Sequence, residues 1–285
     1  MDFNVLKNYF IKEDLPGAID YMSQFPEMSE TTEAYKDLFC CEHYIHYDIP
    51  DVLTEILLIY QKYFRDVFYL KIQEETASSS LLQCLKQKLG SDDLEKALKS
   101  LFEANGYHIL TGKTEGHYGP YVWKTTKVTT YNVELPNGVS KYTVNLLSDF
   151  VMASWMDYLT FGQYGTSGWI GKDGTINCIE SRYNLESEKF LISLLNHEAQ
   201  HTVDIKRWPD MPQEKLEYRA KLVELMYSSS SNLLKKFISE ADENNRTSAH
   251  VIANTRIKKE MSSFTEKTIS EIQFQAKMLF LESSK

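Results

Sequence analysis

Residues 196–204 of this chain read Asn196-His197-Glu198-Ala199-Gln200-His201-Thr202-Val203-Asp204. His197 and His201 are four residues apart, so on an α-helix they project from one face, one turn apart. Two neutral imidazoles at this spacing can bind one Zn²⁺, and Glu198, rotated by about 100° around the helix, can act as general base on a water molecule at the metal. A catalytic zinc usually has three protein ligands and one open position. The stretch therefore predicts a zinc centre that needs a third ligand.

The helix around this stretch is predicted from its capping residues and from a stripe of side chains. Asn184 and Ser187 are both suitable N-caps, and the helix is expected to end before Trp208. Between these ends one face carries Phe190, Leu194, His197, His201 and Asp204, at intervals of three and four residues. The first half of the stripe is apolar, so we expect the histidines to face inward, towards a core or a cleft.

Three acidic residues are candidates for the third ligand. Asp204 lies on the same helix one turn beyond His201, where its short side chain is better suited to orient a ligand or to pair with a base. Glu217 follows His201 by sixteen residues, on a helix predicted beyond the turn at Trp208, and this helix can fold back antiparallel to the first. Glu217 is therefore favoured as the ligand, with Asp204 and Glu224 as alternatives and Asp204 expected to support the site.

Residues 1–105 differ from the rest of the chain in pattern and in charge. Their apolar residues recur at helical spacing, as in Leu53, Ile56, Leu57, Tyr60, Tyr63 and Phe64. This region holds 19 acidic and 10 basic residues, whereas the remainder holds 21 of each, so it carries the whole net charge of −9. We expect an acidic helical domain over residues 1–105 that restricts access to a cleft or recruits a basic protein partner.

From residue 106 the chain becomes rich in β-branched and aromatic residues. Residues 121–135 and 142–146, on either side of Pro136-Asn137-Gly138, predict a β-hairpin. A short helix is expected at about 147–160, followed by a Gly-rich strand pair, the helix with the two histidines, the Glu217 helix and further helices to the C-terminus. The fold class is thus predicted to be α+β, with a second domain over residues 106–285.

Composition excludes several classes of function. Apolar residues make up 42% and charged residues 25% of the 285-residue chain, as is typical of globular proteins. No apolar run approaches the roughly 18 residues of a membrane-spanning helix, and the start shows no secretory signal. The four cysteines form no Cys-x-x-Cys pair, and no basic field is available for nucleic acid. We expect a cytoplasmic protein with reduced thiols that binds neither membranes nor nucleic acid.

His-Glu-x-x-His followed by a Glu on the next helix resembles the gluzincin group of zinc metallopeptidases, over roughly residues 106–260. The segments His-Glu-Ala-Gln-His and Leu-Glu-Tyr-Arg-Ala-Lys-Leu are also similar to an uncharacterised bacterial zincin-like group. The resemblance implies a zincin-like second domain, with a small β-sheet, the two ligand helices and C-terminal helices, in which the edge strand of the sheet holds the substrate peptide. It implies that His197, His201 and Glu217 are the ligands of Zn²⁺ and that Glu198 is the general base.

The resemblance is incomplete in two respects: the gap before the Glu is shorter than in thermolysin-like enzymes, and one position differs. Thermolysin-like gluzincins place an Asp four residues after the Glu ligand, whereas this chain has Lys221 there. The supporting role of that Asp is therefore expected to fall to Asp204. The resemblance also implies an oxyanion-stabilising group, for which His250, on a later helix, and Tyr218 are the candidates.

Three readings of function follow from these residues. The favoured one is a zinc-dependent hydrolase that cleaves peptide bonds in a peptide or protein substrate. The first alternative is a zincin-fold protein that binds a peptide or partner without turnover. In the second alternative the histidines are buried core residues and the chain is a helical protein-interaction module, which predicts no stoichiometric zinc.

Overall fold

The computed structural model describes residues 1–114, 116–171, 173–245 and 248–284. It is a mixture of helices and sheet, as the predicted α+β class requires. The contacts within the chain define two compact units. The first comprises Met1–Thr125 and Asp149–Thr166, and the second comprises Thr126–Ser148 and Ser167–Lys285. The chain therefore enters the second unit, returns to the first and enters the second again, whereas the sequence suggested a single division after residue 105.

The first unit is mainly helical and has its own hydrophobic core. Its described α-helices are α1 (Phe3–Ile11), α2 (Leu15–Met22), α3 (Ser29–Tyr35), α4 (Asp51–Phe64), α5 (Glu74–Leu89), α6 (Leu94–Ala104) and α7 (Ser154–Leu159). Helix α4 shows how the sequence builds this core, because Leu53, Ile56, Leu57 and Phe64 are fully buried at the predicted helical spacing.

The strands form a five-stranded sheet and a separate two-stranded one. In chain order they are β1 (His108–Leu110), β2 (Lys113–Thr114), β3 (His117–Tyr118), β4 (Tyr121–Leu135), β5 (Gly138–Ala153), β6 (Gly168–Ile170) and β7 (Ile176–Ile179). The larger sheet has the order β1-β4-β5-β7-β6, and β2 pairs with β3. Strand β7 is parallel to β5 and antiparallel to β6, which leaves β6 at one edge of the sheet. The predicted hairpin is confirmed, and Gly138 adopts the positive φ of 118° that its turn requires.

The second unit contains the helices that follow the sheet. They are α8 (Glu188–Phe190), α9 (His197–Arg207), α10 (Gln213–Tyr227), α11 (Asn232–Ser239), α12 (Ala249–Met261) and α13 (Ile269–Glu282). Helix α10 is central, since it packs against α9, α12 and α13. Every residue from 216 to 225 is accordingly buried, including four that carry a charge. None of the helices in the described ranges has the length and apolar character needed to cross a bilayer.

Two local predictions need correction. The helix expected at 147–160 is wrong in its first half, because β5 continues to Ala153 and α7 begins only at Ser154. This stretch is extended because β5 lies between β4 and β7 in the sheet: residues 144–147 pair with β7, and beyond them the Thr125 hydroxyl on β4 donates to the Asp149 carboxylate at 2.6 Å. Such long-range pairing overrides the local pattern. The predicted N-cap at Ser187 is confirmed, since its hydroxyl accepts from the Phe190 N–H at 3.3 Å. The expected continuous helix is interrupted by a π-helical turn over Leu191–Asn196.

Candidate metal centre

The two histidines of the opening stretch lie at the start of α9, directly after the π-helical turn. Such turns bond each N–H to a carbonyl five residues back, and they occur often at functional sites. Here the wider turn allows consecutive residues Leu194, Leu195 and Asn196 all to be buried. The Asn196 amide donates to the Glu134 carbonyl at 3.0 Å, which attaches the start of α9 to strand β4.

Three of the predicted ligands converge on one point. Nε2 of His197 lies 3.0 Å from Nε2 of His201 and 3.2 Å from Oε2 of Glu217. Nε2 of His201 faces the other carboxylate oxygen of Glu217, Oε1, at 3.4 Å. All three side chains are buried. The His-x-x-x-His spacing and the antiparallel return of α10 therefore place two imidazoles and a carboxylate together, as predicted for Glu217.

These distances suit a tetrahedral zinc ion. Zn–N and Zn–O bonds of about 2.0–2.1 Å give tetrahedron edges of about 3.3 Å. The three distances between the donor atoms of His197, His201 and Glu217 range from 3.0 to 3.4 Å, with a different carboxylate oxygen of Glu217 facing each histidine. Nitrogen and carboxylate oxygen are also ligands that zinc prefers, and three protein ligands leave one position open. The residues present fit the ion in both donor type and spacing.

A second carboxylate orients the first histidine. Oε1 of Glu224 lies 2.7 Å from Nδ1 of His197, and both side chains are buried. A carboxylate at Nδ1 holds a proton on that nitrogen, so Nε2 is the nitrogen that faces His201 and Glu217 and that would bind a metal on losing its own proton. Nδ1 of His201 has no hydrogen-bond partner within the described ranges. Of the two histidines, His197 is thus the one whose ring is oriented by a hydrogen bond at Nδ1.

The charges within this cluster are strongly coupled. Burial alone would lower the pKa of His197, but its contacts with Glu217 and Glu224 outweigh burial and raise that pKa to about 10. Burial likewise acts to raise the pKa of Glu217, whereas His197, His201 and His250 together hold it well below its ordinary value. The carboxylate of Glu217 is thus held as an anion in a buried position by the surrounding histidines.

Two further predicted site residues lie at this centre. Glu198 follows His197 in α9 and is only partly buried, whereas the three proposed ligands are buried. His250, at the start of α12, places Nδ1 2.8 Å from Oε2 of Glu217, and its ring stacks on His197 with centroids 6.1 Å apart. The side chain of His250 remains 57% exposed, which leaves much of the ring available to a substrate.

The side chains of Tyr218 and Asp204 form their hydrogen bonds with residues other than the three proposed ligands. The Tyr218 hydroxyl donates to Glu260, and the Arg256 guanidinium lies 3.8 Å from the centre of the Tyr218 ring. Asp204 is bonded to Arg219 and Gln200. Glu224 is thus the carboxylate that contacts Nδ1 of a histidine. Asp204 was predicted to support the site, but within the described ranges it makes no direct hydrogen bond to a proposed ligand.

The sequence indicated Glu224 only as an alternative third ligand. Its position seven residues after Glu217 was the available signal, because both then lie on one face of α10. Lys221 lies between them on the same helix and is buried, with its ammonium 4.3 Å from the centre of the Phe237 ring. Burial lowers the pKa of Lys221, and Glu224 and Glu217 oppose that change.

Tyr183 also lies within electrostatic range of the centre. Burial raises its pKa, and the carboxylates of Glu198 and Glu224 add to that rise. Its ring packs edge-on against Phe190, shortly before the π-helical turn, and no motif in the sequence pointed to it.

The sequence matches no known protein family, and searches of curated proteins and of solved structures give no significant match. The proposed chemistry of this centre therefore rests on its own residues.

Proposed function

We propose that this protein is a zinc-dependent hydrolase that cleaves peptide bonds. The observation that carries the proposal is the buried cluster of His197, His201 and Glu217, and the partly buried Glu198 is the residue next to His197 in α9. A bound Zn²⁺ would polarise a carbonyl group and make water a nucleophile at neutral pH. The sequence resemblance to gluzincins supports the choice of a peptide as substrate.

Each residue has a defined task in this reaction. Glu198 accepts a proton from the attacking water and returns it to the leaving amine. His250 lies beside Glu217 with its ring partly exposed, so it can donate a hydrogen bond to the oxyanion that develops on the substrate carbonyl. Tyr218 is the weaker candidate for this donor role, because its hydroxyl is already bonded to Glu260.

Strand β6 is the proposed binding edge for the substrate. It is the edge strand of the larger sheet and packs beside α9, the helix with the two histidines. The approach is close, since a Cβ atom on Gly168 would lie 2.5 Å from Leu194 Cδ1. An extended peptide can add to such an edge through main-chain hydrogen bonds. A peptide on β6 would run alongside α9, which carries Glu198.

The test combines metal analysis with a peptide-library cleavage assay on the wild type, Glu198→Gln and Glu217→Ala. We expect one zinc per chain and cleavage in the wild type. Glu198→Gln should keep its zinc and lose at least about a hundredfold in rate, because only the general base is removed. Glu217→Ala should lose zinc affinity as well as activity.

The possible results distinguish the three interpretations of function. Full activity in Glu198→Gln would exclude the proposed mechanism, and unchanged zinc affinity in Glu217→Ala would remove Glu217 as a ligand. Zinc without cleavage in the wild type would favour a non-catalytic binding protein. A wild type without stoichiometric zinc would leave the histidines as core residues.

A further inference from the structure

A buried arginine connects the two ligand helices to the C-terminal end of the chain. Nε and Nη2 of Arg219 donate to the Asp204 carboxylate at 2.7 and 3.0 Å, forming a two-bond pair between α10 and α9. Both side chains are almost fully buried, at 3% and 1% exposure. Asp204 lies one turn beyond His201, and Arg219 lies two residues beyond Glu217.

The remaining donors of Arg219 reach the end of α13. Nη1 donates to the Ser283 hydroxyl at 2.7 Å, to the Ser284 hydroxyl at 2.8 Å and to the Phe280 carbonyl at 3.3 Å. The guanidinium also lies between two rings, 5.0 Å from the centre of Trp208 and 4.1 Å from that of Phe280. Hydrogen bonds along its edges and rings near its faces leave this guanidinium in one orientation.

We propose that Arg219 is a positioning residue for the metal centre, and that the C-terminal residues Ser283 and Ser284 act on metal affinity through it. This inference rests on the proposed zinc site. Arg219 touches none of the three ligands, but it joins α9 to α10 close to His201 and Glu217. It therefore controls the spacing between ligands that belong to different helices. Metal ligands must be held to within about 0.5 Å, so a loosened helix pair costs affinity.

The test measures zinc affinity by competition with a chromophoric chelator, on folded protein well below its melting temperature. Arg219→Met should weaken zinc binding by at least about tenfold, as is usual when groups that orient ligands are removed. Arg219→Lys should also bind more weakly, because a lysine cannot make both bonds to Asp204. Arg256→Met is the control: Arg256 also lies over an aromatic ring, Tyr218, and pairs with a carboxylate, Glu260, but it does not join α9 to α10.

A spectroscopic readout separates positioning from general destabilisation. The visible spectrum of the Co²⁺-loaded protein reports ligand geometry, and we expect it to change in Arg219→Met and to be unaltered in Arg256→Met. Should Arg219→Met fail to fold, the double variant Ser283→Ala/Ser284→Ala decides, with an expected loss of roughly threefold in zinc affinity.

Wild-type affinity and spectrum in the folded Arg219 variants, or wild-type affinity in the double serine variant when it has to decide, would overturn the inference while leaving the zinc site intact. A wild type that binds neither metal would overturn both the inference and the proposed function.

Discussion

Each ring nitrogen of His197 faces a carboxylate from the same neighbouring helix. Glu217 lies at Nε2, on the side of the metal centre, and Glu224 lies at Nδ1. The two glutamates are seven residues apart, so they lie on one face of α10 about two turns apart. Helix α10 therefore supplies both a proposed metal ligand, Glu217, and the carboxylate of Glu224 that orients the ring of His197.

Removal of Glu224 tests this division of labour at the residue scale. Glu224→Ala should weaken zinc binding by about 10–100-fold, because Nδ1 of His197 loses its acceptor and the ring its fixed tautomer. Glu224→Gln keeps an acceptor oxygen and should lose less. Chelator competition measures both, with Glu214→Ala, an exposed residue in the first turn of the same helix, as the control. Zinc affinity in Glu224→Ala equal to that of the control would show that Glu224 does not orient the ligand.

At the scale of elements, α13 is linked to the ligand helices because the residues at its end accept hydrogen bonds from Arg219. The helix begins with a capping box, in which the Thr268 hydroxyl accepts from the Glu271 N–H and Glu271 accepts from the Thr268 N–H. These bonds satisfy backbone groups that a helix start leaves without partners. The local sequence thus fixes where α13 starts.

Loss of this cap should destabilise the protein. Thr268→Ala is expected to reduce the free energy of unfolding by about 1 kcal/mol, since the Glu271 N–H loses its acceptor. Thr268→Ser retains the hydroxyl and should stay close to the wild type. Urea denaturation of the three proteins gives the comparison. Equal losses in the Ala and Ser variants would mean that the methyl group, rather than the cap, stabilises this end of α13.

At the scale of the whole molecule, the two compact units have separate hydrophobic cores. One is built around residues such as Phe64 and Trp155, and the other around residues such as Phe190 and Leu222. All three proposed ligands belong to the second unit. A metal that binds only the folded state stabilises the structure that holds it, and local opening reports where that stabilisation acts.

Hydrogen exchange with and without zinc should therefore show a local response. We expect slower exchange of amides in α9 and α10 on addition of zinc, because opening of either helix would break the metal centre. Amides in α4, which lies in the first unit, should exchange at nearly the same rate in both conditions. Glu217→Ala is the control, in which zinc should have no effect. Exchange in α9 and α10 that does not respond to zinc in the wild type would argue against a metal held by these helices.

The sequence by itself determined the features that depend on near neighbours. The spacing of His197 and His201, the Ser187 cap and the helical stripe of α4 all follow from the periodicity and hydrogen bonding of a few consecutive residues. The position of Glu217 could be predicted on the same basis, because a short turn followed by a helix implies that the second helix runs back antiparallel to the first. The antiparallel hairpin was also predicted, since its turn and its strands are adjacent in the chain.

Only the tertiary structure decided the rest, because it depends on how distant elements pack. Glu224 rather than Asp204 contacts His197, since the register between α9 and α10 selects which carboxylate meets which ring. His250 reaches Glu217 across more than thirty residues of chain, and Arg219 reaches Ser283 across sixty-four. Strand β5 extends to Ala153 as an inner strand of the sheet, between β4 and β7. Contacts of this kind have no periodic signal along the chain, so they emerge only when the helices and strands are placed together.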